Sequence, residues 1–199
     1  MCCLLLSVAA VAGCRASNQI DVPSVDADDA AAEAIALYDA DKNGALSKEE
    51  LAECPGVLGR LDFYDQNKNE AVEQEEISLR LAELLKHGIG ATQLNCLVTY
   101  RGKPLGGAEV VFEPEPYLGG EVQAATATTN GAGSAQMTIP PEFIPEALRR
   151  VKMLHYGTFK VRITHPTIAI PARYNADTEL GYETEAGNPY VRFNLVDKR

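Results

Sequence analysis

The chain has 199 residues, 46% of them hydrophobic and 23% charged, with a formal net charge of −10. That length and apolar content suit one large domain or two small ones with buried cores. The charge is uneven: Arg15 to Gly90 carries 17 acidic and 7 basic residues, whereas Ala91 to Arg199 carries 11 of each. The excess negative charge therefore marks the first half as a separate module that attracts cations and repels nucleic acid, and no basic patch in the second half offsets that exclusion.

Met1 to Ala12 is apolar and runs into Val11-Ala12-Gly13-Cys14. A short apolar run followed by small residues reads as a secretory signal, too short to span a bilayer. Small residues before a cysteine resemble the lipobox of bacterial lipoproteins. The resemblance implies a signal peptide over 1–13, cleavage before Cys14 and lipidation of Cys14. It also implies a place in the cell envelope, lipid-anchored to a bacterial membrane and facing the periplasm or the exterior. No Lys or Arg precedes the apolar run, so the usual positive n-region is missing, and a plain signal peptide is the alternative. Residues 14–25 then read as the lipidated cysteine and a polar tether.

Cys2 and Cys3 leave with the signal, so Cys54 and Cys96 remain, one in each module. The spacing leaves two states open, a bridge or two buried thiols. There is no Cys-x-x-Cys, and His87, His155 and His165 are scattered, which argues against zinc.

Residues 26–90 read as a small all-α module. Asp26, Asp28 and Asp29 precede an alanine-rich helix over Ala30 to Tyr38 and suit its positive dipole end. The window from Asp39 to Glu50 follows at once. Asp39, Asp41 and Asn43 stand first, third and fifth, Ala45 seventh, Ser47 ninth and Glu50 twelfth. That is the ligand spacing of a calcium-binding EF-hand loop, in which a hard cation is wrapped by six to eight oxygens. Ala45 would offer its carbonyl, Ser47 a hydroxyl or a bridged water, and Glu50 both carboxylate oxygens. Gly44, sixth, permits the positive-φ turn. Ser47 and Glu50 also form a capping box, after which Pro55 is expected to end a helix of barely two turns.

A second window runs from Asp65 to Glu76. Asp65, Asn67, Asn69, Ala71, Glu73 and Glu76 fall on the ligand positions, but Glu70 stands where glycine is expected. A non-glycine residue at positive φ there costs on the order of 1 kcal/mol, and the third and fifth ligands are amides. This loop reads as a weaker hand, or as one kept only for pairing. Leu46 and Val72, both eighth, are expected to bridge the loops in a two-stranded ladder. A closing helix follows from about Glu73 to His87, with Ile77, Leu81, Leu84 and Leu85 at helical spacing and Gly88 as its stop.

Residues 91–199 change texture. Alternation predicts strands over Leu94 to Tyr100, Ala108 to Glu113, Val122 to Thr129, Ala135 to Ile139, Gly157 to Thr164 and Tyr190 to Val196. Asn130-Gly131 is expected to close a hairpin. Val98-Thr99-Tyr100-Arg101-Gly102-Lys103-Pro104-Leu105 followed by Ala108-Glu109-Val110-Val111-Phe112 resembles the opening of a transthyretin-like, carboxypeptidase-regulatory-like domain. Thr128 to Gly133, Gly157-Thr158-Phe159-Lys160-Val161, Ile170 to Asn175 and Val191-Arg192-Phe193-Asn194-Leu195 continue the resemblance through residue 196. It implies a seven-stranded transthyretin-like or Ig-like β-sandwich that binds a protein or polysaccharide partner, and it brings no catalytic residues. The stretch from Pro140 to Tyr156 is longer than the family's connection. Glu146 to Leu154 is expected to form a helical turn or two bearing Arg149, Arg150 and Lys152, a solvated face or a small basic contact.

No nucleophile elbow, phosphate-binding glycine loop or His-Glu-x-x-His occurs, so the chain does not read as an enzyme. The expectation is an α+β, multidomain, exported calcium-binding protein, an EF-hand pair followed by an all-β sandwich that serves as an interaction module. Its alternative is a structural, adhesive or enzyme-accessory module whose hands are vestigial.

Overall fold

The computed structural model describes residues 20–86 and 90–197. The expected signal peptide, Cys14 and the first residues of the expected tether, 15–19, lie outside the described residues, as do His87 and Gly88. The architecture is α+β: helices dominate the first part and mostly antiparallel strands the second. Among the described residues, no helix is long and apolar enough to cross a membrane.

Helix α1 (Ala27–Tyr38) starts at Asp26, whose carboxylate accepts from the backbone N–H groups of Asp28 and Asp29. The helix thus begins three residues earlier than the alanine run suggests, with Asp28 and Asp29 in its first turn. The buried side chains Ala30, Ala31 and Ala34 are small, which suits close packing against the long helix α4 introduced below. The chain then forms strand β1 (Ala45–Ser47), a 3-10 turn at Glu50–Glu53, helix α2 (Pro55–Leu58) and helix α3 (Leu61–Tyr64). Pro55 therefore opens a helix instead of ending one. At a first helical position its missing N–H would be unpaired anyway, and its fixed φ already suits the helix. Strand β2 (Ala71–Glu73) leads into α4 (Gln74–Leu85), whose start is a reciprocal box between Glu73 and Glu76.

The second part contains β3 (Ala91–Thr92), β4 (Asn95–Tyr100), β5 (Lys103–Pro104), β6 (Glu109–Pro114), β7 (Ala125–Thr128), β8 (Ser134–Gln136), β9 (Leu154–His155), β10 (Thr158–Thr164), β11 (Gly181–Glu183) and β12 (Tyr190–Leu195). One sheet has the order β11-β10-β6-β7; a second joins β12, β4 and β5, with β8 also on β4. These sheets hold eight strands where seven were expected. They meet in a shared interior, with the Phe112 ring of β6 standing 6.1 Å from that of Phe193 on β12.

Asn130-Gly131 turns the chain back antiparallel, with Thr126 bridging Thr138, but the hairpin is partial because β7 pairs with β6 and β8 with β4. Asn130 Oδ1 accepts from the N–H groups of Ala132 and Ser134, an Asx turn, and the positive φ of 75° falls on Gly133. β12 runs parallel to β4, in the register Tyr190–Asn95 to Leu195–Tyr100. Between Pro140 and Tyr156 there are two 3-10 turns, Pro141–Phe143 and Glu146–Leu148, after which Leu154 joins strand β9 against β3.

The two parts share one continuous hydrophobic core. Helix α2 lies against β11, the edge strand of the first sheet, main chain to main chain. A Cβ added to Gly181 would sit 2.0 Å from the carbonyl carbon of Pro55, so only glycine fits there. Beside this contact, Glu183 is wholly buried between Arg60 and Arg80, which sit on either side of the second loop.

Candidate metal centre

Both predicted loops fold as the same unit. The first spans Asp39 to Glu50 and the second Asp65 to Glu76, and β1 pairs with β2 so that Leu46 faces Val72. Those two side chains are buried at 1% and 0% exposure, which makes the ladder the hinge between the loops. In each loop the fourth residue takes a left-handed φ, 61° at Lys42 and 62° at Lys68.

Side-chain carboxylates tie each loop together from within. In the first, Asp39 accepts from the N–H groups of Asn43 at 3.2 Å and Gly44 at 2.8 Å. Asp41 Oδ1 accepts from Asn43 N–H at 3.1 Å, and Asn43 Oδ1 accepts from Ala45 N–H at 2.8 Å. Glu50 closes the ring: Oε1 accepts from Ala40 and Asp41, and Oε2 from the amide and hydroxyl of Ser47. Hydrogen bonds from Ser47 hold the Glu50 carboxyl down at about 2, so it is ionised at neutral pH.

The second loop repeats the scheme. Asp65 accepts from Asn69 and Glu70, Asn67 Oδ1 from Asn69, and Asn69 Oδ1 from Ala71. Glu76 accepts from Gln66, Asn67 and Glu73. Glu70 does adopt the expected strained φ, 66° against 89° at Gly44. Its carboxylate lies 3.2 Å from Lys48 of the first loop, an exposed pair that ties the loops across their outer rims.

The loops differ in which of their ligand positions carry carboxylates. One oxygen each from Asp39, Asp41 and Glu50 lies within 4.8 Å of the others, and no other trio of His, Cys, Asp or Glu does so among the described residues. Ligand oxygens 2.3–2.6 Å from a calcium ion stand at most about 5 Å apart, so these side chains fit a hard divalent cation. Ala45 and Ser47 lie on the same loop at the seventh and ninth positions. In the second loop the residue matching Asp41 is Asn67, an amide, so that loop cannot offer the same trio of carboxylates. Its ninth residue, Glu73, accepts from Asn67 Nδ2 at 3.0 Å and Asn69 Nδ2 at 2.9 Å.

Sequence reasoning passed over the residues immediately before the loops. Tyr38 donates its hydroxyl to the buried Glu115 at 2.8 Å, and Tyr64 is fully buried beside Glu183. Aromatic residues one place before a first ligand were visible, but their acidic partners lie far along the chain. Cys54 and Cys96 are free, buried thiols, not a bridge; burial pushes Cys96 up to about 12 and Cys54 higher still. Arg149, Arg150 and Lys152 are all exposed, the Arg149 guanidinium donating to the Ile144 carbonyl.

Comparison with known proteins returns no family model, no curated protein and no solved structure that matches this chain.

Proposed function

We propose that the chain is an exported, lipid-anchored calcium-binding protein without catalytic activity of its own. Its EF-hand pair holds calcium at Asp39, Asp41, Asn43, Ala45, Ser47 and Glu50 and, more weakly, at the second loop. The observation that carries this reading is the convergence of Asp39, Asp41 and Glu50 oxygens in a loop whose spacing is that of a calcium ligand set. The all-β part is a transthyretin-like sandwich that presents a binding surface to a protein or polysaccharide, and Cys14 carries the lipid. Outside the cell calcium is plentiful, and hands tuned to it bind at about 10⁻⁴–10⁻³ M. The ion then acts as a structural clamp more than as a signal.

A second reading, in which the hands are vestigial, has one observation in its favour. The loop carboxylates already accept several backbone N–H groups, so both loops keep their shape through their own hydrogen bonds. Calorimetry decides between the two. Calcium uptake by the full chain that Glu50→Gln largely abolishes supports the clamp; no uptake by the unsubstituted chain supports the vestigial reading.

A further inference from the structure

The two loops differ in ligands, yet each is held to the β-part from both of its ends, the first at Glu115 and Tyr117 in the turn after β6 and the second at Glu183 of β11. Before the first loop, the Tyr38 hydroxyl reaches Glu115 Oε2, and its ring stands edge-on to Tyr117 at 6.4 Å. After it, Cys54 Sγ lies 3.9 Å from the Tyr117 hydroxyl. Before the second loop, Arg60 Nε lies 3.5 Å from Glu183 Oε1, and Tyr64 is fully buried beside the same carboxylate. After it, Arg80, on α4 four residues beyond Glu76, donates to both Glu183 oxygens at 2.5 and 3.3 Å. Both acids are wholly buried, and each has a base within reach, Lys160 for Glu115 and the two arginines for Glu183.

We propose that cation binding in the loops and docking of the helical part on the β-sheets form one linked equilibrium, transmitted through Glu115 and Glu183. The inference rests on the calcium reading of the loops. A cation drawn between the first and twelfth ligands sets the angle between the elements that enter and leave a loop. Here those elements carry Tyr38, Arg60 and Arg80. Turning them withdraws donors from carboxylates that have no water to replace them, and a buried acid left unpaired is strongly destabilising. The docked geometry is therefore the one the cation favours. The same docking covers β11, the outer strand of its sheet, with α2. Loss of the cation then loosens the cover over an edge that is a template for pairing with another chain.

Linkage is reciprocal, so breaking the clasp must weaken the ion even though the clasping residues hold none of it. The test uses the full chain with Arg80→Lys, which loses the two-pronged contact, and Tyr38→Phe, which loses only a hydroxyl. Val98→Ala, in β4 of the other sheet, controls for general loss of stability. Calcium affinity measured by calorimetry at a temperature where all four proteins are folded should fall by ~5-fold or more in both clasp variants and stay unchanged in Val98→Ala. Amide exchange in β11 should be slower in calcium than in chelator, by a similar ~5-fold, in the unsubstituted chain. Calcium binding that is present and unaltered in both clasp variants overturns the linkage alone. No calcium binding by the unsubstituted chain overturns the calcium reading, and the linkage with it.

Discussion

Replacing Gly181 by alanine tests how firmly the two parts are joined. The added Cβ would lie 2.0 Å from the carbonyl carbon of Pro55, 2.1 Å from its oxygen and 2.2 Å from the nitrogen of Gly56, where ordinary contact is 3.4–4 Å. Every obstructing atom is main chain, so no side chain can swing aside, and Pro55 fixes φ at the start of α2. Strand β11 and α2 must separate by about 1.5 Å, which loosens the buried contacts of Glu183 beside them. Overpacking of this kind costs typically ~1–3 kcal/mol, and backbone obstruction places this site at the upper end. At ~2–4 °C per kcal/mol for a chain of this size, the melting temperature should fall by roughly 6–12 °C. Gly120→Ala, with nothing within 4 Å of its Cβ and no positive φ, is the matched control and should melt as the unsubstituted chain does. Calorimetric scans in matched buffer give the answer. A Gly181→Ala protein that melts within a degree of the control would refute the close docking of α2 on β11.

Further outcomes follow from the same geometry. Leu46→Ala empties the buried contact with Val72 and should cost about 2–5 kcal/mol in a denaturant titration, with weaker calcium uptake by the pair. Burial, opposed by the Tyr38 hydroxyl and Lys160, raises the Glu115 carboxyl above the usual carboxylate value. The folded state therefore holds that proton more tightly than the unfolded state, and the contribution is full below the ordinary glutamate value and lost as pH rises through the folded one. Glu115→Gln should accordingly flatten the fall in stability above about pH 4.5, measured by denaturant titrations across pH. An unchanged pH profile would show that Glu115 is not the group responsible.

The loops were legible in the sequence because their logic is local. Ligand types at fixed positions, an aliphatic eighth residue and a capping box all fall within twelve residues, and the Leu46–Val72 register followed from them. The longer strands were legible for the same reason, since alternation around Val98, Phe112 and Val161 is read within a few residues, whereas the short β5 and β11 were not predicted. Pairing was not. Nothing near Tyr190 announces a parallel partner at Asn95, and an Asn-Gly turn looks the same whether its strands share a sheet or part company. Pro55 carries the same residue type at either end of a helix, and only the following turn distinguishes them. The docking of the two parts was hidden most completely. Arg60, Arg80, Glu115 and Glu183 are charged residues that pattern reading assigns to the surface, yet Glu115 and Glu183 lie in the interior, where Glu115 meets Tyr38 and Glu183 meets Arg60 and Arg80 from the other half of the chain.

The central claim, that calcium clamps the paired loops, is tested most directly by the melting temperature of the full chain in 10 mM calcium and in excess chelator. For a site of about 10⁻⁴ M that concentration is about one hundred times Kd, worth ~2.7 kcal/mol to the folded state. The account predicts a melting temperature higher in calcium by roughly 5–11 °C, most of it lost in Glu50→Gln. Equal melting temperatures in calcium and in chelator would contradict it.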